Sequence, residues 1–172
     1  RLGEVAGDTC HLDVIDCQGN MVAASPSGGW LQSSPVLPQL GFPLGTRGQM
    51  FWVEQGYPNS IAPGKRPRTT LTPSFAARDG EPYMAFGTPG GDQQDQWQLT
   101  FFLRHVHYGM NLQEAIDMPS FHTEHFPSSF YPRAAAPGKL VVEGRIANET
   151  VDELIRKGHL VERASDWSEG RL

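Results

Sequence analysis

Long apolar runs are missing from this chain; the longest uninterrupted stretches are a handful of residues, where a bilayer-spanning helix needs about 20. Positive charge is scarce as well. Fourteen Lys and Arg face 19 Asp and Glu, giving a formal charge of -5 and a pI near 5.6, a balance that supports neither nucleic acid nor a membrane surface as partner. Cysteine is limited to Cys10 and Cys17. Seven residues of strand at about 3.3 Å each separate the thiols too far for a disulfide unless the chain folds back. HExxH and paired CxxC motifs are absent. His105 and His107, two apart in an expected helix, point about 200° away from each other and make a poor ligand pair. No metal and no cofactor are expected. Ser27, Ser33 and Ser34 lie in no GxSxG elbow, so a serine-hydrolase triad has no support.

What is abundant is turn chemistry: 19 glycines and 14 prolines in 172 residues imply tightly shaped loops around a sheet-rich fold. With 38% hydrophobic residues the chain can bury a core, and one domain is the simplest account. Residues 10–16 read as a strand, Gln18-Gly19-Asn20 as a turn, and Met21–Ala24 as its hairpin partner. Residues 25–38 read as an ordered loop, and 54–68 as a second, basic one. Asp79-Gly80 between Ser74–Arg78 and Pro82–Gly87 predicts another hairpin. A helix is expected over Asp92–His107, with Trp97, Leu99, Phe101, Phe102, Leu103 and Val106 largely buried. Asn111 should cap a second helix, Leu112–Asp117. Residues 121–138 show no periodicity and read as loop. Leu140–Glu143 reads as a short strand, Asn148–Lys157 as a third helix, and Leu160–Glu162 as a strand without an obvious partner. Trp167 to Leu172 break off abruptly, so an incomplete C-terminus is expected. The order suits an α/β (α+β) layered fold with mainly antiparallel pairing.

Three segments can carry chemistry. In Gly7-Asp8-Thr9-Cys10-His11 a threonine opens a strand. Cut before Thr9, the residue gains an α-amine with a pKa near 7.7–8.0, partly neutral at neutral pH and able to activate the neighbouring hydroxyl. The plainer alternative is a structural threonine at a strand start. Thr88-Pro89-Gly90-Gly91 joins a strand to a helix, where backbone N–H groups can meet a developing oxyanion; the alternative is a turn that needs positive φ. Lys65-Arg66-Pro67-Arg68-Thr69-Thr70 can bind a carboxylate and equally fits a solvated basic loop.

Taken in order, these segments resemble the small subunit of gamma-glutamyltranspeptidases. The matching pieces are Asp8-Thr9-Cys10-His11, Asp16-Cys17-Gln18-Gly19-Asn20, Pro63-Gly64-Lys65-Arg66-Pro67, Thr72-Pro73-Ser74, Asp79-Gly80, Gly87-Thr88-Pro89-Gly90-Gly91, Tyr108–Ala115 and Pro119-Ser120-Phe121-His122. The resemblance implies an N-terminal-nucleophile hydrolase fold, an αββα sandwich of which this chain is the small-subunit part. It also implies a precursor that cuts itself before the threonine, a large subunit as partner, and a gamma-glutamyl amide such as glutathione as substrate. Residues 1–8 then form the tail of the large subunit and 9–172 the catalytic domain; with Thr9 inside a peptide bond, the uncut chain should be inactive.

Carried over by position, Thr9 is the nucleophile and Ser27 contacts its α-amine. Gly90 and Gly91 match the oxyanion glycines, and Thr69 and Thr70 stand for a pair that holds the substrate carboxylate. Two departures follow. Gly28-Gly29-Trp30 replaces a substrate-binding Asn. In Leu44 to Met50, Arg47 stands near the position of the acid that grips the substrate ammonium. A cation cannot replace that anion, so an acyl group with a carboxylate and no amine, as in dicarboxylic acyl amides, is the expected alternative. Cys10 is a rival nucleophile needing a cut one residue later, and an unprocessed member acting as a binding domain is the non-enzymatic alternative.

Overall fold

The computed structural model describes residues 9–28 and 34–170. The expected large-subunit tail at 1–8, together with Gly29, Trp30 and Ser33, lies outside them.

Two hairpins form one side of the molecule. β1 (Leu12–Ile15) pairs antiparallel with β2 (Met21–Ala24), Val14 opposite Val22. Asp16 ties their turn by accepting from Gln18 N–H and Asn20 N–H at 2.8 and 2.9 Å and from Asn20 Nδ2 at 2.7 Å, and these bonds hold its carboxyl below the usual range. Within the expected 25–38 loop a short strand, β3 (Val36–Leu37), pairs with β4 (Phe42–Pro43). β5 (Ser74–Arg78) and β6 (Glu81–Phe86) pair across Asp79-Gly80, whose φ angles of 54° and 87° are those of a primed hairpin turn.

The long helix α1 (Gln94–Val106), entered through a 3-10 turn at Gly91–Gln93, lies on the β5–β6 hairpin. Met84, Phe101 and Ala115 form the buried centre, with Ala76, Phe86 and Phe102 around it. One expectation fails here: Leu99, Leu103 and Val106 are exposed at 59%, 42% and 41%. Their side of the helix faces away from the hairpin that packs on Phe101, so apolar density alone did not report burial. α2 (Leu112–Asp117) starts in a full capping box, Asn111 and Glu114 each bonding the other's backbone N–H. Arg104 of α1 donates to the carbonyls of Ala115, Met118 and Pro119, fixing the C-terminal end of α2.

The remaining sheet corrects two expectations. Phe121–Thr123, read as loop, is strand β7, antiparallel to β8 (Lys139–Val142). The supposedly unpartnered last strand, β9 (Leu160–Arg163), runs parallel to β8 after the crossover helix α3 (Asn148–Arg156). Residues beyond β9 fold back on this sheet, where buried Glu143 accepts from Ser120 N–H and Glu169 N–H and pairs with Arg145. Cys10 and Cys17 are free. Among the described residues no helix is long and apolar enough to cross a membrane, and no cluster of ligating side chains fits a metal ion.

Candidate active site

Thr9 sits where β1 begins, half-buried. The backbone there is held by Cys10 N–H donating to Pro26 O at 3.1 Å, which brings the segment after β2 alongside the nucleophile candidate. The result is a hydroxyl pair: Thr9 Oγ1 lies 2.6 Å from Ser27 Oγ. Arg47, in the 3-10 turn Arg47–Met50, donates from Nη2 to the same Ser27 oxygen. Its Nε is buried without a partner. Gly28 makes room for this approach: a Cβ there would stand 2.5 Å from Thr46 Oγ1 and 3.5 Å from Arg47 Nε.

His11 joins this group to the glycine loop. Its ring bonds Ser25 Oγ at 2.7 Å and Asp13 Oδ2 at 3.0 Å. It lies on Gly87 so closely that any Cβ would overlap it, with Nδ1 2.5 Å from the position. Thr9 and the Gly90-Gly91 turn are thereby set at adjoining ends of β1 and β6.

The glycine loop is shaped from below. Gly90 has φ 136°, a conformation that side chains rarely tolerate, and a Cβ there would overlap the Trp97 ring. Gln94, wholly buried in the first turn of α1, links three segments of the site. With its amide oriented to satisfy both ends, it donates to Thr70 O and Thr88 O at 3.0 and 3.1 Å and accepts from Gly91 N–H at 3.2 Å. Among the described residues Gly90 N–H has no acceptor. The two glycines are therefore unequal: one N–H is open and the other is held by Gln94. Thr70 is buried, and its hydroxyl has no partner. Thr69 is exposed, its Oγ1 accepting from Leu71 N–H at 3.0 Å, and does not join the cluster.

Two further clamps went unread in the sequence. Asp92 accepts from Ser128 Oγ, Ser129 N–H and Ser129 Oγ, pinning the 124–138 loop to the start of α1. Arg133 stacks over Trp52 at 4.7 Å and donates to Ser129 O and Phe51 O at 2.8 and 2.7 Å, tying that loop to the turn that carries Arg47. Gln94, Asp92 and Arg133 act through non-local partners, and no short-range pattern announces them.

A threonine three residues ahead of a strand, its hydroxyl paired with that of Ser27, together with a glycine turn leading into a helix, fits the class of N-terminal-nucleophile hydrolases. The gamma-glutamyltranspeptidase family model matches residues 3–172, and the chain belongs to that family. It is 34% identical to the glutathione hydrolase-like YwrD proenzyme of Bacillus subtilis (strain 168), over 95% of this chain and 30% of that protein. It is 33% identical to the oxamate amidohydrolase proenzyme of Klebsiella pneumoniae, over 97% of this chain and 31% of that one. Among solved structures, LmbA2991HD superposes with a TM-score of 0.86 at 61% identity, over 99% of this chain and 31% of that chain. An acivicin-inhibited gamma-glutamyltranspeptidase superposes at 0.70 and 23% identity, over 90% of this chain and 83% of its own, a likeness that shows the fold. The chain spans less than a third of the length of these curated relatives. Those relatives are hydrolases and proenzymes, and acylases stand among them.

Proposed function

We propose that this chain is the catalytic portion of an acyl-transfer amidohydrolase whose nucleophile, Thr9, is freed by cleavage of the Asp8–Thr9 bond in a longer precursor. The carrying observation is the Thr9–Ser27 contact of 2.6 Å. Once cut, Thr9 holds hydroxyl and α-amine on one residue. The amine takes the hydroxyl proton, Oγ1 attacks the amide carbon, and the negative oxygen is met by Gly90 N–H and, on exchange from Gln94, by Gly91 N–H. The C–N bond breaks, the amine returns the proton to the leaving nitrogen, and water or a second amine then releases the acyl group from Thr9. Arg47, by donating to Ser27, polarises that hydroxyl as a donor toward Thr9.

The donor class follows from two readings. Family membership and the glutathione hydrolase relatives support a gamma-glutamyl amide such as glutathione. Arg47 favours a dicarboxylic acyl amide lacking the ammonium group, because its guanidinium stands at the nucleophile pair and keeps an unpartnered buried Nε. Thr70, buried with an unpartnered hydroxyl, completes a carboxylate-binding pair with it; exposed Thr69 has the weaker claim. The larger, N-terminal part of the precursor is the partner that closes the pocket. It covers the apolar residues that β1, β2 and β5 leave open, namely Leu12, Val14, Val22 and Phe75.

The deciding experiment is mass spectrometry of the purified full-length precursor, with steady-state hydrolysis of gamma-glutamyl and glutaryl anilides. A fragment beginning at Thr9 and turnover that vanishes in Thr9→Ala support the nucleophile. Preference for the gamma-glutamyl compound discards the dicarboxylic reading. An intact, inactive precursor returns the protein to the binding-domain alternative.

A further inference from the structure

One side chain bridges two segments to which the acyl-transfer reading gives separate tasks. Thr70 carries the hydroxyl that takes the donor's carboxylate, and Gly91 carries an N–H group that meets the oxyanion. The carboxamide of Gln94 donates to Thr70 O at 3.0 Å and to Thr88 O at 3.1 Å, and accepts from Gly91 N–H at 3.2 Å. Turned the other way, it would set its oxygen 3.4 Å from Thr72 N–H, withdraw the donors from both carbonyls and press a second donor on Gly91 N–H. A single orientation therefore satisfies the site. Gln94 has no exposed surface, so solvent cannot take over these bonds when they are lost. Its backbone is fixed by α1, where Trp97 lies beneath Gly90 and Phe101 sits in the buried centre. Gln98, also buried, continues the same seam one turn on. Its Nε2 donates to Thr72 Oγ1 at 2.6 Å and its Oε1 accepts from Ser74 Oγ at 2.8 Å, and those bonds reach neither Thr70 nor the glycine turn.

Resting on the acyl-transfer reading above, we propose that Gln94 is a positioning residue that sets the length of acyl chain the enzyme accepts. A donor of the proposed class has a carboxylate at one end and the scissile carbonyl at the other, joined by carbon atoms. The carboxylate is received at Thr70 and the carbonyl at the glycine turn. Because Gln94 bonds the backbone of both receiving segments, the span between them is fixed by one short side chain. With the carboxylate seated, a methylene more or less moves the carbonyl about 1 Å from its place over Thr9 Oγ1, and a misplacement of that size costs about a hundredfold in rate. Gamma-glutamyl and glutaryl groups put the same run of carbons between carboxylate and scissile carbonyl. The length selection therefore acts on either donor and does not depend on the ammonium group.

The test uses the processed full-length enzyme and anilides that differ by single methylenes: succinyl, glutaryl and adipyl, or beta-aspartyl and gamma-glutamyl if that series is the one hydrolysed. The wild type should favour one length over its neighbours by about a hundredfold in kcat/KM. Gln94→Met keeps the length of the side chain and removes all three hydrogen bonds, and should reduce that ratio to about tenfold or less. Gln94→Glu supplies the conservative rescue. With its carboxyl neutral at low pH it keeps one donor and one acceptor and should hold the ratio; ionised at higher pH, it meets two carbonyls without a proton and should lose it. Gln98→Met should lower Tm and leave the length preference as in the wild type, which separates positioning from general loosening. Should Gln94→Met not fold, the pH dependence of the ratio in Gln94→Glu decides. Equal loss on every length, a ratio in Gln94→Glu that ignores pH, or a wild type that hydrolyses all lengths alike would overturn the role of Gln94 and leave the nucleophile standing. A wild type neither cut nor active on either series overturns the acyl-transfer reading and this role with it.

Discussion

Arg47 Nη2 donates to Ser27 Oγ, the oxygen that lies 2.6 Å from Thr9 Oγ1. A cation is thus built into the hydroxyl pair, in place of the acid that the gamma-glutamyl pattern implies. Replacing it by lysine keeps the charge and loses the planar fork. Arg47→Lys should lower kcat/KM for a glutaryl anilide by about tenfold or more, the scale of one charge-assisted hydrogen bond, and Arg47→Asp should favour the gamma-glutamyl compound instead. Steady-state kinetics on both anilides read the switch.

The nucleophile assignment is sharper in a conservative pair of variants. Thr9→Ser retains an amine and a hydroxyl on one residue, and should still yield a fragment starting at position 9, more slowly. Thr9→Ala should give no such fragment and no turnover. If Thr9→Ala is cut and active, Cys10 inherits the role.

Gly90 is constrained twice, by φ 136° and by the Trp97 ring beneath it. Gly90→Ala should cost about 1–3 kcal/mol in backbone strain alone, with more from the overlap. Both a lowered Tm and a fall in kcat exceeding any change in KM are expected, since in the proposed mechanism the turn meets the forming oxyanion.

Arg133 supplies donors to Ser129 O and Phe51 O. Its removal leaves carbonyls on two loops unpaired, so Arg133→Ala should destabilise by about 1–3 kcal/mol, visible as a lower urea midpoint. Because Phe51 follows the Arg47 turn, the KM for a carboxylate-bearing substrate should rise in the same variant.

Stability should also report the Glu124–Lys139 pair. The Lys139 hydrogen bond holds Glu124 below its ordinary range, and Glu124 raises Lys139 in turn. A depressed carboxylate contributes stability above its unfolded pKa and loses it as pH falls through the lower folded value. A raised lysine contributes fully below its unfolded pKa and loses it as pH climbs through the higher folded one. Lys139→Met should therefore flatten both limbs of the Tm–pH curve, the acid limb below about pH 4.3 included. The pair is half-exposed, so the effect should be small and shrink with salt.

Local chemistry made much of this fold legible. Asp79-Gly80 dictates a primed turn wherever it stands, and Asn111 with Glu114 spells out a helix start in four letters. β7 was illegible because its three residues owe their extended form to partners at 140–142, beyond the reach of periodicity. β9 was misjudged for the same reason, its partner being parallel and on the far side of α3. At the site, Thr9, Ser27 and the glycines were visible as sequence, whereas Gln94 was not. A glutamine in a first helical turn looks like a surface residue until three segments converge on it. Thr69 and Thr70 looked equivalent as neighbours, and burial separates them.

Leu12, Val14 and Ile15 stand in the open a few residues after Thr9, and Val22 opposite Val14 does too. A ribbon of that kind adheres to whatever oily surface it meets first, so synthesis on its own would invite clumping. Under the proposed function, Thr9 would acquire its surroundings only after the ribbon has been sealed, which would tie the timing of the proposed cleavage to the completion of folding.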